Sequence, residues 1–178
     1  MNIWLKEISI DDDKTYCDLL IELANYPDVY ARPVPIDFTY DDYEYFKKTR
    51  VRMANNDNLP SNVVQTNTYW VMSDEEPIGY ATLKHKIDET VPGGYFGLCL
   101  KKTYQNKGIG TIVSNELSKI AYYELGLEEV IYTSKNENIQ SQKSLEKIGA
   151  ELYSIHDGYH FYRVNLKEKL ENTERRMK

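Results

Sequence analysis

The chain has 178 residues, an ordinary apolar content and a formal net charge of −6, which suits one globular domain with a sizeable core. The charge excludes a broad basic face for nucleic acid, and no apolar stretch is long enough to span a bilayer. Cys17 and Cys99 are too far apart to form a metal spacing, the first six residues lack a signal-peptide layout, and a reducing cytoplasm fits both observations.

In chain order, residues 2–9 alternate and read as a first strand. Residues 11–25 carry Tyr16, Leu19, Leu20 and Leu23 at helical spacing, and the Tyr26-Pro27 pair ends that helix. Residues 39–55 form a second helix with Thr39 as its cap and Tyr43, Phe46, Val51 and Met53 on its apolar faces. After a loop to Asn67, residues 68–72 and 77–87 read as strands around a polar turn. Residues 93–101 form a fourth strand, with Cys99 as an inert core thiol. Residues 108–125 make the most regular helix, with Ile109, Ile112, Val113, Leu117, Ile120 and Ala121 as its stripe, and Gly126 stops it. A short strand at 129–134 precedes a helix at 138–148 closed by Gly149. Residues 152–156 and 159–166 form a final hairpin around Asp157-Gly158. The domain thus covers residues 1–166, and the charged tail 167–178 reads as frayed or as a solvated helix.

The chemistry concentrates between the fourth strand and the long helix. Gln105-Asn106-Lys107-Gly108-Ile109-Gly110 reads Q-x-x-G-x-G. Glycines let a backbone approach a ligand closely, and the first helical turn offers unpaired N–H groups and a positive dipole end, so this loop suits a phosphate. The alternative is a helix start that needs only a tight turn. A second block runs from Asn138-Ile139-Gln140-Ser141 to Glu146-Lys147-Ile148-Gly149-Ala150.

These two blocks, and the order strand, two helices, three strands, helix, strand, helix, two strands, resemble the GNAT superfamily of acyl-CoA-dependent N-acyltransferases. Within that superfamily the chain looks similar to a subgroup of uncharacterised bacterial acetyltransferases. The resemblance implies an α/β (α+β) fold: a mixed, largely antiparallel sheet with a splay between its fourth and fifth strands and helices on both faces. It implies that acetyl-CoA is the acyl donor and that no metal takes part. It further implies that Leu98, Cys99 and Leu100 offer backbone groups to the pantetheine arm. Residues Lys107, Gly108, Ile109, Gly110 and Thr111 would hold the pyrophosphate, with Gln105 and Asn106 shaping the loop. Asn138 would bond the pantetheine, or cap the following helix, for which Asn is well suited. Lys143, with Lys101, Lys102 and Lys107, would neutralise CoA phosphates, unless these lysines are simply solvated.

Many GNAT enzymes place a Tyr, acting as general acid, at the position of Leu145. Leu has no proton to give, which leaves Ser141 as the substitute acid, or as an ordinary first-turn serine. The base is open among His85, Asp88 and Glu89. His85 titrates in the right range but equally suits a strand histidine bonded to a neighbour. His156 and His160 are further options, expected on one face of the hairpin. The segment Pro35-Ile36-Asp37-Phe38-Thr39-Tyr40-Asp41-Asp42-Tyr43-Glu44 would suit a cationic amine or merely start a helix. The expected activity is acetyl transfer to a primary amine of a small molecule, peptide or protein. The rival readings are an acetyl-CoA sensor without turnover and an unrelated phosphate-binding loop. The oligomer is left open, with a homodimer as one option.

Overall fold

Alternate residues of the central strands face opposite sides of one sheet, and each side carries its own core. The computed structural model describes residues 1–26, 32–86 and 94–176. The strands are β1 (Ile3–Glu7), β2 (Thr66–Ser73), β3 (Glu76–Lys84), β4 (Gly94–Leu100), β5 (Glu129–Lys135), β6 (Glu151–His156) and β7 (Tyr159–Asn165). They lie in the order β1-β2-β3-β4-β5-β7-β6. Every neighbouring pair is antiparallel except β4 and β5, which run parallel. The helices are α1 (Lys14–Ala24), α2 (Tyr40–Ala54), α3 (Ile109–Lys119), α4 (Ile139–Lys147) and α5 (Leu166–Arg176).

On one face Trp70, Met72 and Tyr80 pack against Leu19, Leu20 and Leu23 of α1 and Tyr43 and Phe46 of α2. On the other, Val71, Ala81, Leu83 and Phe96 meet Ile109, Val113 and Leu117 of α3 and Leu145 of α4. The first face is pinned by polar groups as well. Asp12, almost fully buried, accepts from the Trp70 indole at 2.6 Å and from Lys6. Lys47 of α2 donates to the Ile10 and Asp12 carbonyls, both at 2.9 Å. Buried charges of this kind need such partners to be tolerated.

Helix α2 starts at Thr39 as expected, because Asp42 turns back to accept from the Thr39 N–H at 2.9 Å and completes a capping box. Helix α3 ends sooner than its periodicity suggests. It widens into a π turn over Ile120–Glu124 before Gly126, at φ +67°, stops the chain. Two further expectations need correction. Cys99 is half-buried, because β4 loses its neighbour on one side. The residues after 166 are neither frayed nor simply solvated: they continue into α5, with Leu166 and Leu170 buried. Alternation of charge in that segment hid a narrow apolar stripe.

Lys169 of α5 is buried as well. Its amine donates to the Ser114 carbonyl at 3.2 Å and to the Ser114 and Ser118 hydroxyls at 2.9 Å. Ser114 in turn meets the Tyr132 hydroxyl at 2.6 Å. No carboxylate joins this cluster among the described residues, so burial pulls the Lys169 amine from its usual 10.5 down to about 7. Below pH 7 the folded and unfolded chains both hold the proton. Between about 7 and 10.5 only the unfolded chain holds it, so this group makes stability rise with pH across that window. Denaturant titrations at pH 6.5 and 9.5 should show wild type more stable at the higher pH. Lys169→Met should remove most of that rise, and an unchanged slope would show that Lys169 keeps an ordinary pKa.

Candidate active site

The sheet opens where β4 and β5 stop pairing. Among the described residues they are joined at two positions, Gly94 with Val130 and Tyr95 with Ile131. Close approach there requires glycine: a Cβ on Gly94 would lie 2.8 Å from Leu127 Cδ1, 3.0 Å from Val130 Cγ1 and 3.1 Å from the Lys84 carbonyl oxygen. One residue further on, the Phe96 and Tyr132 rings meet edge to face at 5.2 Å on the α3 side. These two rings fill the space between the strands, and no pairing resumes beyond them. On the opposite side the Tyr95 and Thr133 hydroxyls close the vertex at 2.5 Å.

The open edge of β4 presents specific backbone groups. Lys101 N–H bonds the Ile78 carbonyl at 2.9 Å. Hydrogen-bonded pairs alternate along an antiparallel ladder, so Cys99, paired with Tyr80, also turns its N–H and C=O toward β3. Leu98 and Leu100 turn theirs toward the splay. Leu100 is partly used, since its carbonyl accepts from Gln105 Nε2 at 3.0 Å. Leu98 keeps both groups available, and its side chain is 41% exposed. Cys99, expected to share this role, thus turns its backbone groups toward β3. Its thiol lies on the α1 and α2 side, where burial raises it to about 11, which suits an unreactive group.

The glycine loop sits at the mouth of this opening. A 3-10 turn, Lys102–Tyr104, is anchored by the Tyr104 hydroxyl and by Lys101, which reach the two carboxylate oxygens of Glu76 at 2.8 and 2.9 Å. Asn106 (φ +62°) and Gly108 (φ +78°) then turn the chain through left-handed conformations, and Gly108 caps α3. Ile109 is buried in the core and fixes the helix start. The first donor to find a partner in this turn is Thr111, whose N–H reaches the Gly108 carbonyl at 3.1 Å. The N–H groups of residues 108–110 therefore project out of the helix end. At the same helix start, Gly108 and Thr111 line a cleft of about 480 Å³ together with Asn106, Ile139, Gln140 and Lys143, among others. Gln140 donates to the Asn106 side chain across it. Lys107 extends over the Tyr104 ring at 5.5 Å.

Helix α4 supplies the other wall. Asn138 caps it, accepting from Ser141 N–H at 3.1 Å, which satisfies the capping reading. Ser141 and Leu145 share one stripe of α4. Leu145 is buried in the core, so the position that carries Tyr in many relatives here serves packing. Ser141 lies a turn nearer the splay and is half-buried. Its hydroxyl has no hydrogen bond among the described residues.

Several sequence candidates are not brought together here. Lys101 is committed to Glu76 and, at 3.8 Å, to Glu22, and Lys102 lies over the Tyr26 ring at 5.4 Å. Of the four lysines, Lys107 and Lys143 remain beside the cleft. His85 bonds Asn67 through Nε2 at 2.6 Å and lines a different pocket, of about 360 Å³, with residues of the 56–65 loop. Burial lowers its pKa, so its ring is neutral at pH 7. Asp88 and Glu89 lie outside the described residues. His156 and His160 do not share a face. The two-residue turn pairs His156 with Tyr159 and Ile155 with His160, so His156 stacks on Phe161 at 4.1 Å while His160 lies beside Tyr162. Two of the four acids of the 35–44 segment are occupied: Asp42 by the cap, Glu44 by Lys47 at 2.8 Å. Sequence reading missed Tyr95 and Thr133, because only the strand register shows that they meet.

Comparison with known proteins agrees with this geometry. The model of the acetyltransferase (GNAT) domain matches residues 2–151, while no curated protein matches the chain. Among solved structures, the apo form of FdhC, a nucleotide-linked sugar GNAT, superposes with a TM-score of 0.72 at 16% identity, over 98% of this chain and 92% of that one. The Campylobacter jejuni N-acetyltransferase PseH in complex with acetyl coenzyme A gives 0.64 at 19% identity, over 92% and 99%. The Vibrio cholerae spermidine/spermine N-acetyltransferase SpeG gives 0.64 at 13%, over 96% of both chains. With its seven-stranded splayed sheet and a family match over most of its length, the chain belongs to the GNAT acetyltransferase family.

Proposed function

We propose that this chain moves an acetyl group from acetyl-CoA to a primary amine, and that the reaction takes place at the vertex between β4 and β5. The observation that carries this reading is the nearness of two donor sets: the Cβ position of Gly110, in the first turn of α3, lies 3.7 Å from Leu98 Cδ2 on the β4 edge. The Leu98 C=O matches an N–H of an extended amide-bearing arm, as a further strand would. The N–H groups of residues 108–110, with Lys107 and Lys143 nearby, match a pyrophosphate. When bound, acetyl-CoA supplies the activated acetyl thioester. The chain's own residues then align and polarise it. The Leu98 N–H donates to the carbonyl oxygen as negative charge grows there, an effect worth several kcal/mol in comparable sites, on the order of 3. Ser141 donates a proton toward the sulfur as the thiol leaves and regains one from the water that takes up the amine's proton. The amine arrives neutral, and its proton passes to water at the Tyr95 and Thr133 end, since Asn67 holds the His85 ring elsewhere. The named structural neighbours include both a nucleotide-linked sugar GNAT and a polyamine acetyltransferase, so likeness alone leaves the acceptor open.

Gly110→Val tests the cofactor assignment. A Cβ at 110 has room, 3.7 Å from Leu98 Cδ2, so the fold should persist while the branched side chain crowds the β4 edge. Calorimetry should show acetyl-CoA affinity reduced at least about tenfold. Wild-type affinity in a folded variant would remove acetyl-CoA from this cleft.

Ser141→Ala tests the acid. Following free CoA release, turnover should fall on the order of 100-fold with the acetyl-CoA Kd nearly unchanged. A loss below about threefold would return Ser141 to a structural role.

A further inference from the structure

On the face that carries α1 and α2, β3 and β4 present three successive rungs beside the vertex: Tyr80 with Cys99, Thr82 with Gly97, and Lys84 with Tyr95. Two cations bracket them. The Arg50 guanidinium lies 5.0 Å from the Phe46 ring, donates to Met53 Sδ at 3.8 Å and acts electrostatically on the Tyr80 hydroxyl. Lys84 Nζ stands 5.5 Å from the centre of the Tyr95 ring, next to the vertex. Both side chains are half-buried, and neither meets a carboxylate among the described residues. Several other shielded cations do: Lys6 pairs with Asp12, Lys47 with Glu44, Lys101 with Glu76 and Glu22, while the buried Lys169 is held by two serines instead. The Thr68 and Tyr80 hydroxyls are buried within reach of each other, so they supply no group to a ligand. Sheltered cations without a carboxylate are costly, and Arg50 and Lys84 share this side of the sheet. Gly97 keeps the middle rung low, because any Cβ there would strike Thr82 Oγ1 at 2.6 Å.

We infer that the acceptor amine carries an anionic group, a carboxylate or a phosphate, which Arg50 and Lys84 hold on this face while the amine reaches the vertex. The inference rests on the acetyl-transfer reading and narrows its acceptor. Tyr80 is closed off in the core, so a small acid or a phosphorylated amine would lie on the two outer rungs, where Thr82, Gly97, Lys84 and Tyr95 are half-buried. A polyamine would meet two cations and be repelled. In the acidic segment around Asp42, Asp42 is tied to the cap of α2 and Glu44 to Lys47.

The test compares matched amines with saturating acetyl-CoA: an amino acid against its amide, an amino sugar phosphate against the free amino sugar, and spermidine. The anionic member of at least one pair should exceed its neutral partner about tenfold or more in kcat/KM. Arg50→Gln or Lys84→Gln should erase that preference, mainly through KM, while leaving the acetyl-CoA Kd unchanged. The carboxylate and phosphate pairs tell the two anion sources apart. Preference for spermidine or for the neutral partners would overturn the inference while leaving acetyl transfer standing. Loss of acetyl-CoA binding by wild type would instead sink the reading beneath it. Should no amine in the panel turn over, inorganic phosphate is titrated into the CoA-saturated protein and the Arg50 Nε resonance is followed. A saturable shift supports the anion subsite, and none overturns it.

Discussion

The proposed site depends on β4 and β5 parting beyond Tyr95 and Ile131. A parallel pair normally runs on for the length of its strands, with each backbone group satisfied by its neighbour. Here Gly94 allows contact at one end, and the Phe96 and Tyr132 rings hold the strands apart at the next step. The exposed edge is thus built by packing. Its free backbone groups are left uncompensated in the folded chain, and a ligand arm is the natural partner for them. The rest of the fold stabilises that arrangement from outside: β5 is held along its length by β7, and β4 by β3.

The charges around the opening follow the same division. On the α3 and α4 side, Lys107 and Lys143 sit beside projecting N–H groups, a setting for phosphates. Lys101 has a different task, tying the 3-10 turn to Glu76 so that the loop enters α3 at a fixed angle. On the α1 and α2 side, Arg50 and Lys84 are held by aromatic rings rather than by acids. Donor and acceptor would therefore approach one vertex from opposite faces of the sheet, each drawn by local positive charge in a chain of net charge −6.

The element order, both glycine-ended helices and the glycine loop were legible in the sequence because each has a local cause. Thr39 and Asp42 cap a helix through neighbours three residues apart. Gly108, Gly126 and Gly149 occupy left-handed positions that most residues avoid. What escaped the reading depends on register or on distant packing. Cys99 looked buried because the loss of its β5 neighbour leaves no mark on β4 itself. His156 and His160 looked alike in phase until the two-residue turn fixed which residues pair. The tail looked solvated because Leu166, Lys169 and Leu170 are sparse among charges, and a buried lysine runs against composition. Tyr95 and Thr133, or Arg50 and Tyr80, meet only once the sheet and its helices are assembled.

The central claim is that the β4 edge at Leu98 and the α3 start form one acetyl-CoA site. Following backbone amide resonances during titration with acetyl-CoA tests it most directly. Saturable shifts should appear together at Leu98 and at residues 108–110, with the amides of the 56–65 loop and His85 unmoved. Shifts confined to the second group, or an unresponsive Leu98 amide at saturation, would contradict the account.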